Sequence, residues 1–380
     1  MKRIFGLNIL LLLFGYVHAQ TGLTLQGTVK DASGKPLPFA SVFLNQTTMG
    51  ARTTEEGTFV IPNVPPGRYE VIASYLGYEP LMQPVNLEGN RTMAIVLQQK
   101  PGALKELVVR PDKDREYYLR QFKDIFIGQG AFAKNCKLLN PDIVDFEFNP
   151  QSGELKAKAD DFLEIANASL GYNIRFLLIH FQYSPRTGYS MYYGNPLFEP
   201  MKPRNRSQQK RWEKNREKAY HGSTVHFYRS LVAGNLKNEG FTIRKLMRRE
   251  RERNSVINAP ADSAMGIIPN KRLFSNSVSY LSRQELPADS VFRKDSTDFV
   301  LHFSEHLYVV YGKEKEERLY LEKQQRGNDK PGVQVSLMKL LEPEVRLDRN
   351  GNLEAPMNVI FEQYWAWEKL AEMLPLDYRL

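Results

Sequence analysis

Apolar and polar positions alternate in short runs through residues 25–77, and the runs recur every eight to twelve residues. Each run is closed by turn chemistry: Asp31-Ala32-Ser33-Gly34, Glu55-Glu56-Gly57 and Pro65-Pro66-Gly67. A period of two marks a strand with one buried face, so the spacing predicts strands over 23–30, 40–45, 51–54, 58–61, 69–75, 81–87 and 92–98. Short strands at this interval fold as a small all-β Greek-key sandwich. Within 69–75 the alternation sends Val71, Ala73 and Tyr75 to one face and Glu70, Ile72 and Ser74 to the other. Pro36, Pro38 and Pro84 fall where edges or turns are expected, because a central strand cannot lose a donor.

After Pro101-Gly102 the period changes. Tyr118, Phe122, Ile125 and Phe126 recur at three and four residues, predicting a helix over 112–126. Strands are expected over 143–148, 154–159, 163–168 and 172–183, with Asn149-Pro150-Gln151-Ser152-Gly153 joining the first two as a hairpin. Residues 202–215 read as a charge-dense helix with Trp212, Ala219 and Tyr220 opposite its charges, and Tyr228, Leu231, Val232, Asn235 and Leu236 as a second amphipathic helix. Strands resume from Phe241, broken by the charge run at 248–253 and a polar loop at 258–269, and continue over 299–303, 307–311, 333–337 and 344–347. Asn350-Gly351 signals a hairpin turn. At the end, Tyr364, Trp367, Leu370, Ala371 and Leu374 are expected to share one face of a compact helix.

The Gly27-Thr28-Val29 run, the Gly34-Lys35-Pro36-Leu37 turn, Ala40-Ser41-Val42, the stretch 53–59, and Pro66-Gly67 with Tyr69 and Gly77-Tyr78 together resemble the carboxypeptidase-regulatory-like, prealbumin-type domain common in bacterial envelope proteins. The resemblance covers roughly a fifth of the chain, implies a β-sandwich and implies no reaction. The blocks 135–141, Leu170-Gly171-Tyr172, Lys210-Arg211-Trp212 with Arg216, Ala219-Tyr220 and 364–370 resemble the region that follows such sandwiches in similar envelope proteins. That implies one module travelling with the sandwich.

The first residues add an address. Lys2 and Arg3 precede the apolar run 4–17, and Val17-His18-Ala19 has small residues at the positions that signal peptidase reads. The run is shorter than the roughly 20 residues a bilayer requires, so the expectation is a signal peptide over 1–19 and a mature chain from Gln20. With 380 residues the chain has room for several domains: a sandwich at 20–100, a linker at 101–111 and an α+β domain at 112–380. The fold class is therefore α+β multidomain with an N-terminal all-β sandwich. The net charge is +9, of which the signal peptide carries two; the sandwich is neutral, and the excess lies behind it. A lone Cys136 forms no internal disulfide and reads as a small buried hydrophobe.

Candidate chemistry is sparse. His302-Phe303-Ser304-Glu305-His306 has the H-x-x-E-H spacing of an inverted zinc-peptidase signature, which works on a helix. Here the alternation predicts two strands paired as a hairpin about Ser304-Glu305, so His302, Glu305 and His306 are metal candidates that the pattern opposes. No catalytic or cofactor-binding residue and no cofactor is expected. Gly188-Tyr189-Ser190-Met191-Tyr192 lacks the second glycine of a nucleophile elbow and reads as a strand. Arg206, Lys210, Lys214 and Lys218, spaced by four, form a basic ridge able to attract polyanions. Export removes nucleic acid from the partners and leaves envelope protein, glycan or peripheral membrane contact. The leading reading is an exported, non-enzymatic envelope protein of the periplasm or outer membrane. The alternatives are a hydrolase using His180, His221, His226, His302 or His306 as its acid–base group, and an accessory part of an outer-membrane uptake system.

Overall fold

The computed structural model describes residues 22–100, 113–250, 265–268, 277–296 and 298–380. The expected signal peptide, linker and most of the 258–269 loop lie outside these residues. About 45% of the described residues are strand and 19% helix, arranged as an N-terminal sandwich followed by mostly β domains.

Seven strands build the sandwich: β1 (Leu23–Asp31), β2 (Ser41–Leu44), β3 (Gly50–Arg52), β4 (Thr58–Val64), β5 (Gly67–Ser74), β6 (Leu81–Leu87) and β7 (Arg91–Leu97). They form a three-stranded sheet, β4-β1-β7, facing a four-stranded sheet, β3-β2-β5-β6. Leu25, Val29, Phe59, Ile61, Val71, Ala73, Ile95 and Leu97 fill the core between them. Pro62 and Pro84 stand on β4 and β6, each at a sheet edge where no ladder donor is needed. As the alternation predicts, Ile72 points away from this core, yet it is fully buried. The reason is tertiary: the outer face of β2 and β5 is covered by the next region, with Phe43 and Ile72 packed on Phe162, Leu177 and Leu197.

The second region starts with α1 (Arg115–Phe126), whose Tyr118, Phe122 and Phe126 are buried at a spacing of four. It packs on a six-stranded sheet of β8 (Cys136–Leu138), β9 (Val144–Asn149), β10 (Glu154–Ala159), β11 (Leu163–Asn167), β12 (Tyr172–Ser184) and β13 (Tyr189–Pro200). The β9–β10 hairpin closes through Gly153 N–H donating to Asn149 O. The rings of Phe122, Phe126, Phe176 and Phe181 meet in this core, Phe122 stacked on Phe126 and tilted against Phe181, and Phe126 edge-on to Phe176. Cys136 lies within it, and burial, with Glu372 nearby, pushes its thiol up to about 12.

Two helices lead onward. In α2 (Arg206–Tyr220), Asn205 caps the start by accepting from Gln208 N–H, and Trp212, Ala219 and Tyr220 are buried as expected. α3 (Thr224–Val232) begins earlier than its apolar spacing predicts, because Ser223 caps it, and it ends before Asn235 and Leu236. A third core forms under a sheet ordered β15-β16-β14-β19-β20-β22, with β14 (Phe241–Glu250), β15 (Met265–Ile268), β16 (Ser277–Ser282), β19 (His306–Lys315), β20 (Val333–Leu340) and β22 (Val359–Gln363). A small sheet of β17 (Phe292–Asp295), β18 (Asp298–Leu301) and β21 (Val345–Leu347) flanks it. Short α4 (Arg318–Lys323) follows β19.

Three expectations are corrected. Arg248 and Arg249 continue strand β14 instead of breaking it, since Arg248 meets Glu362 across the sheet in two hydrogen bonds of 3.0 and 2.9 Å. The hairpin expected about Ser304-Glu305 does not form: β18 pairs with β17 and β21, β19 pairs with β14 and β20, and Glu305 at φ 69° turns the chain from one sheet into the other. The C-terminal helix is broken into α5 (Tyr364–Trp367) and a 3-10 turn at Leu370–Glu372, with Glu368 extended between them. Trp365 belongs to the third core, Tyr364 to a small cluster with Tyr320, and Leu370 and Ala371 to the second core, so no single helical face could serve. Among the described residues no helix is long and apolar enough to cross a membrane.

Candidate functional site

The seam between sandwich and second region is built from backbone as well as side chains. Gln46, at φ 59°, turns the β2–β3 loop so that its N–H donates to Pro196 O (2.8 Å) while Phe198 N–H donates to Thr47 O (2.9 Å). The loop thereby adds a short parallel bridge to the edge of β13. Leu376 N–H donates to Gln46 O (2.7 Å), and Asp377 accepts from both Thr48 N–H (2.9 Å) and Thr48 Oγ1. Arg175 lies 4.2 Å over the Phe162 ring and donates to Ser41 Oγ (3.1 Å). Farther along, Arg68 pairs with Asp298 and Glu354. Three parts of the chain thus share one joint.

Beside this joint opens a groove of about 950 Å³ between α2, the C-terminal tail and Thr48 of the sandwich. Lys210 and Lys214 of the expected basic ridge line it, with Tyr172 and Tyr378 as ring walls. Glu213, Glu217 and Asp377 line it too, so its charge is mixed in sign. Arg216 is committed to structure: it donates to Leu170 O (2.7 Å) and Gly171 O (3.1 Å) and stacks 4.2 Å from the Tyr172 ring. The four ridge cations therefore do not act as one row. Arg206 is exposed on the first turn, and Lys218 leaves the groove to face Glu317 at 3.8 Å.

The histidines scatter, with one exception. His180 lies on β12, half-buried. His302 precedes β19; His306 opens it and faces Glu362 at 3.5 Å. Hydrogen bonding from His306, then Arg248, holds Glu362 down to about 2. Glu305 pairs instead with Arg249 at 2.7 Å, so Glu305 and His306 turn to different partners, and His302 Nε2 is buried without a hydrogen-bond partner. Among the described residues no group of three or more His, Cys, Asp or Glu is placed to hold a metal ion. His221 and His226 do meet, rings 5.3 Å apart, with Glu239 Oε2 3.2 Å from His226 Nε2. His226 Nδ1 accepts from Gly222 N–H (3.1 Å), and its ring is wedged among Tyr220, Phe241 and Tyr311; burial drives its pKa down. Neither ring lines the groove or the smaller pocket at Glu314, so the pair has no place for a substrate there.

The sequence pattern did not reveal Thr48, Asp377 and Arg229 as joint residues. Thr48 and Asp377 are 329 positions apart, beyond any local signal.

Residues 24–98 match the family model of the carboxypeptidase regulatory-like domain. The first seven strands are therefore a carboxypeptidase regulatory-like sandwich, here carried in front of further, mostly β domains. Such a module points to a binding or spacing role and to no particular reaction. No curated protein matches the chain. Among solved structures, an interface mutant of a type II cohesin–X–dockerin complex from Acetivibrio cellulolyticus is 20% identical over 20% of this chain and 58% of that one, with a TM-score of 0.20. A DUF3823 family protein from Bacteroides ovatus is 11% identical over 48% and 82%, at 0.18. The major pilin SpaD from Corynebacterium diphtheriae is 9% identical over 83% and 66%, at 0.17. The chain spans less than two thirds of the first of these, and likeness at such scores carries no functional argument.

Proposed function

We propose that the chain is an exported, non-enzymatic binding protein of the bacterial cell envelope, whose sandwich acts as a rigid spacer and whose groove takes a polar polymer, a glycan chain before all. The observation that supports this is the groove itself, walled jointly by sandwich, α2 and tail. Its paired charges of both signs and its two tyrosines offer donors, acceptors and ring faces without a strong net charge, which suits a hydroxyl-rich ligand better than a polyanion. The start of the sequence, with its charged, apolar and small-residue order, supports export.

The test uses the full chain from its native cell. Fractionation should recover it outside the cytoplasm beginning at Gln20, and it should bind purified envelope polysaccharide. Substituting both Lys210→Ala and Lys214→Ala, which leaves the buried face of α2 untouched, should weaken that binding at least tenfold. Cytoplasmic recovery with residues 1–19 intact removes the export half of the reading. Binding unchanged in the double variant removes the groove.

A further inference from the structure

Behind the groove the end of the chain closes a smaller pocket of about 30 Å³. Four carboxyls line it: Glu314 from β19 and Glu317 just after it, and Glu368 and Glu372 from the broken C-terminal segment. The facing charges are Lys218 of α2, 3.8 Å from Glu317, and Lys315 of β19. Glu317 Oε2 also accepts from Ala131 N–H (3.2 Å) and Trp367 Nε1–H (3.4 Å), and Glu314 Oε2 accepts from Gln334 Nε2 (3.2 Å). Those two carboxylates are provided for.

Glu372 is not. Glu372 Oε2 takes the Lys369 N–H (3.1 Å), while its Oε1 is sealed from solvent without a hydrogen-bond partner. The nearest cation on its own segment, Lys369, directs its ammonium over the Tyr192 ring at 5.6 Å. From the sheet side the titratable neighbours are the Cys136 thiol and the Tyr192 hydroxyl, and from α5 Tyr364, none of which supplies positive charge. Burial favours the uncharged carboxyl in both: with Glu317 opposite, Glu372 is pushed up to about 8, and with Glu372, Glu317 and Glu314 around it, Glu368 is pushed well above the carboxylate range.

The same segment then holds the joint. Ala371 N–H donates to Ile127 O (3.0 Å) and Asn167 Nδ2 to Ala371 O (2.9 Å); Leu376 and Asp377 follow, gripping Gln46 and Thr48 of the sandwich. We infer that Glu368 and Glu372 form a proton-operated latch: uncharged, they let the tail sit in the joint and hold the sandwich against β13; ionised beside Glu314 and Glu317, they expel the tail and release the sandwich. This goes beyond the binding role and does not depend on it.

Amide hydrogen exchange on the full chain from pH 6 to 9.5, corrected for intrinsic base catalysis, tests the latch. The opening constant read at the Leu376 and Phe198 amides should rise about tenfold per pH unit for each proton that opening releases, up to the closed-state value, about 8 for Glu372, above which that carboxyl adds no further rise, while the Val29 amide inside the sandwich stays flat. Glu368→Gln with Glu372→Gln should abolish the rise. A flat Leu376 profile, or the same rise in the double variant, overturns the latch. Should that variant not fold, the wild type decides alone: its infrared band of protonated carboxyl groups must be present at neutral pH and fade over the pH range in which the exchange rise levels off, and its absence at neutral pH overturns the inference.

Discussion

Replacing Arg229 by Met should loosen the C-terminal tail more than any other single change on α3. The guanidinium donates to three main-chain carbonyls: Nε to Asn350 O (3.1 Å), Nη1 to Tyr378 O (3.0 Å) and Nη2 to Leu376 O (2.7 Å). It also lies 5.5 Å from the Tyr220 ring, and burial lowers its pKa. Arg229→Met keeps the aliphatic stem and removes all the donors. Leaving three partly buried carbonyls short of a partner costs at least about 1 kcal/mol each, which sets a floor of about 3 kcal/mol. At about 2 °C per kcal/mol for a chain of this size, Tm should fall by about 6 °C. Arg229→Lys, able to reach one carbonyl at a time, should fall in between. Differential scanning fluorimetry gives the shift, and limited proteolysis should show new cleavage confined to residues 374–380. A Tm within about 1 °C of wild type, with the tail still protected, would refute the reasoning.

Ile72→Asp should separate the sandwich from the rest without unfolding it, because Ile72 lies with Phe43 in the seam cluster against Phe162, Leu177 and Leu197 and outside the sandwich core; calorimetry should then resolve two transitions where the wild type shows one. His226, whose pKa is depressed by burial, contributes stability that is full above its unfolded value of about 6.5 and is lost as pH falls below it, at up to about 1.4 kcal/mol per unit; His226→Gln should flatten that limb in urea titrations between pH 7 and 5. Gly171→Ala should cost about 2–5 kcal/mol, since φ is +73° and a Cβ would meet the Trp212 ring at 2.4 Å; an unchanged urea midpoint would contradict this.

What the sequence made legible is what local periodicity encodes. Strands such as β1, β4 and β7, with α1, the β9–β10 hairpin and α2, have one face in a core and one in water, so polarity alternates with the backbone period. The pattern set the facing of Ile72 but not its burial, since a second surface covers that outer face, and it failed where one short segment serves several cores, as at residues 364–372. Tyr364, Trp367, Leu370, Ala371 and Leu374 read as one helical stripe, yet the chain must change direction at Glu368, taking Tyr364 and Trp367 to the Tyr320 cluster and Leu370, Ala371 and Leu374 to the second core. The same segment carried one local hint of the candidate site. Glu368, Lys369 and Glu372 interrupt an apolar run too short to give them a solvated face of their own, so burying Leu370 and Ala371 brings their charges along. A carboxyl carried into a core by its neighbours must find a cation, a donor or a proton. For Glu368 and Glu372, with Lys218 already facing Glu317 and Lys369 turned to Tyr192, the proton is what remains.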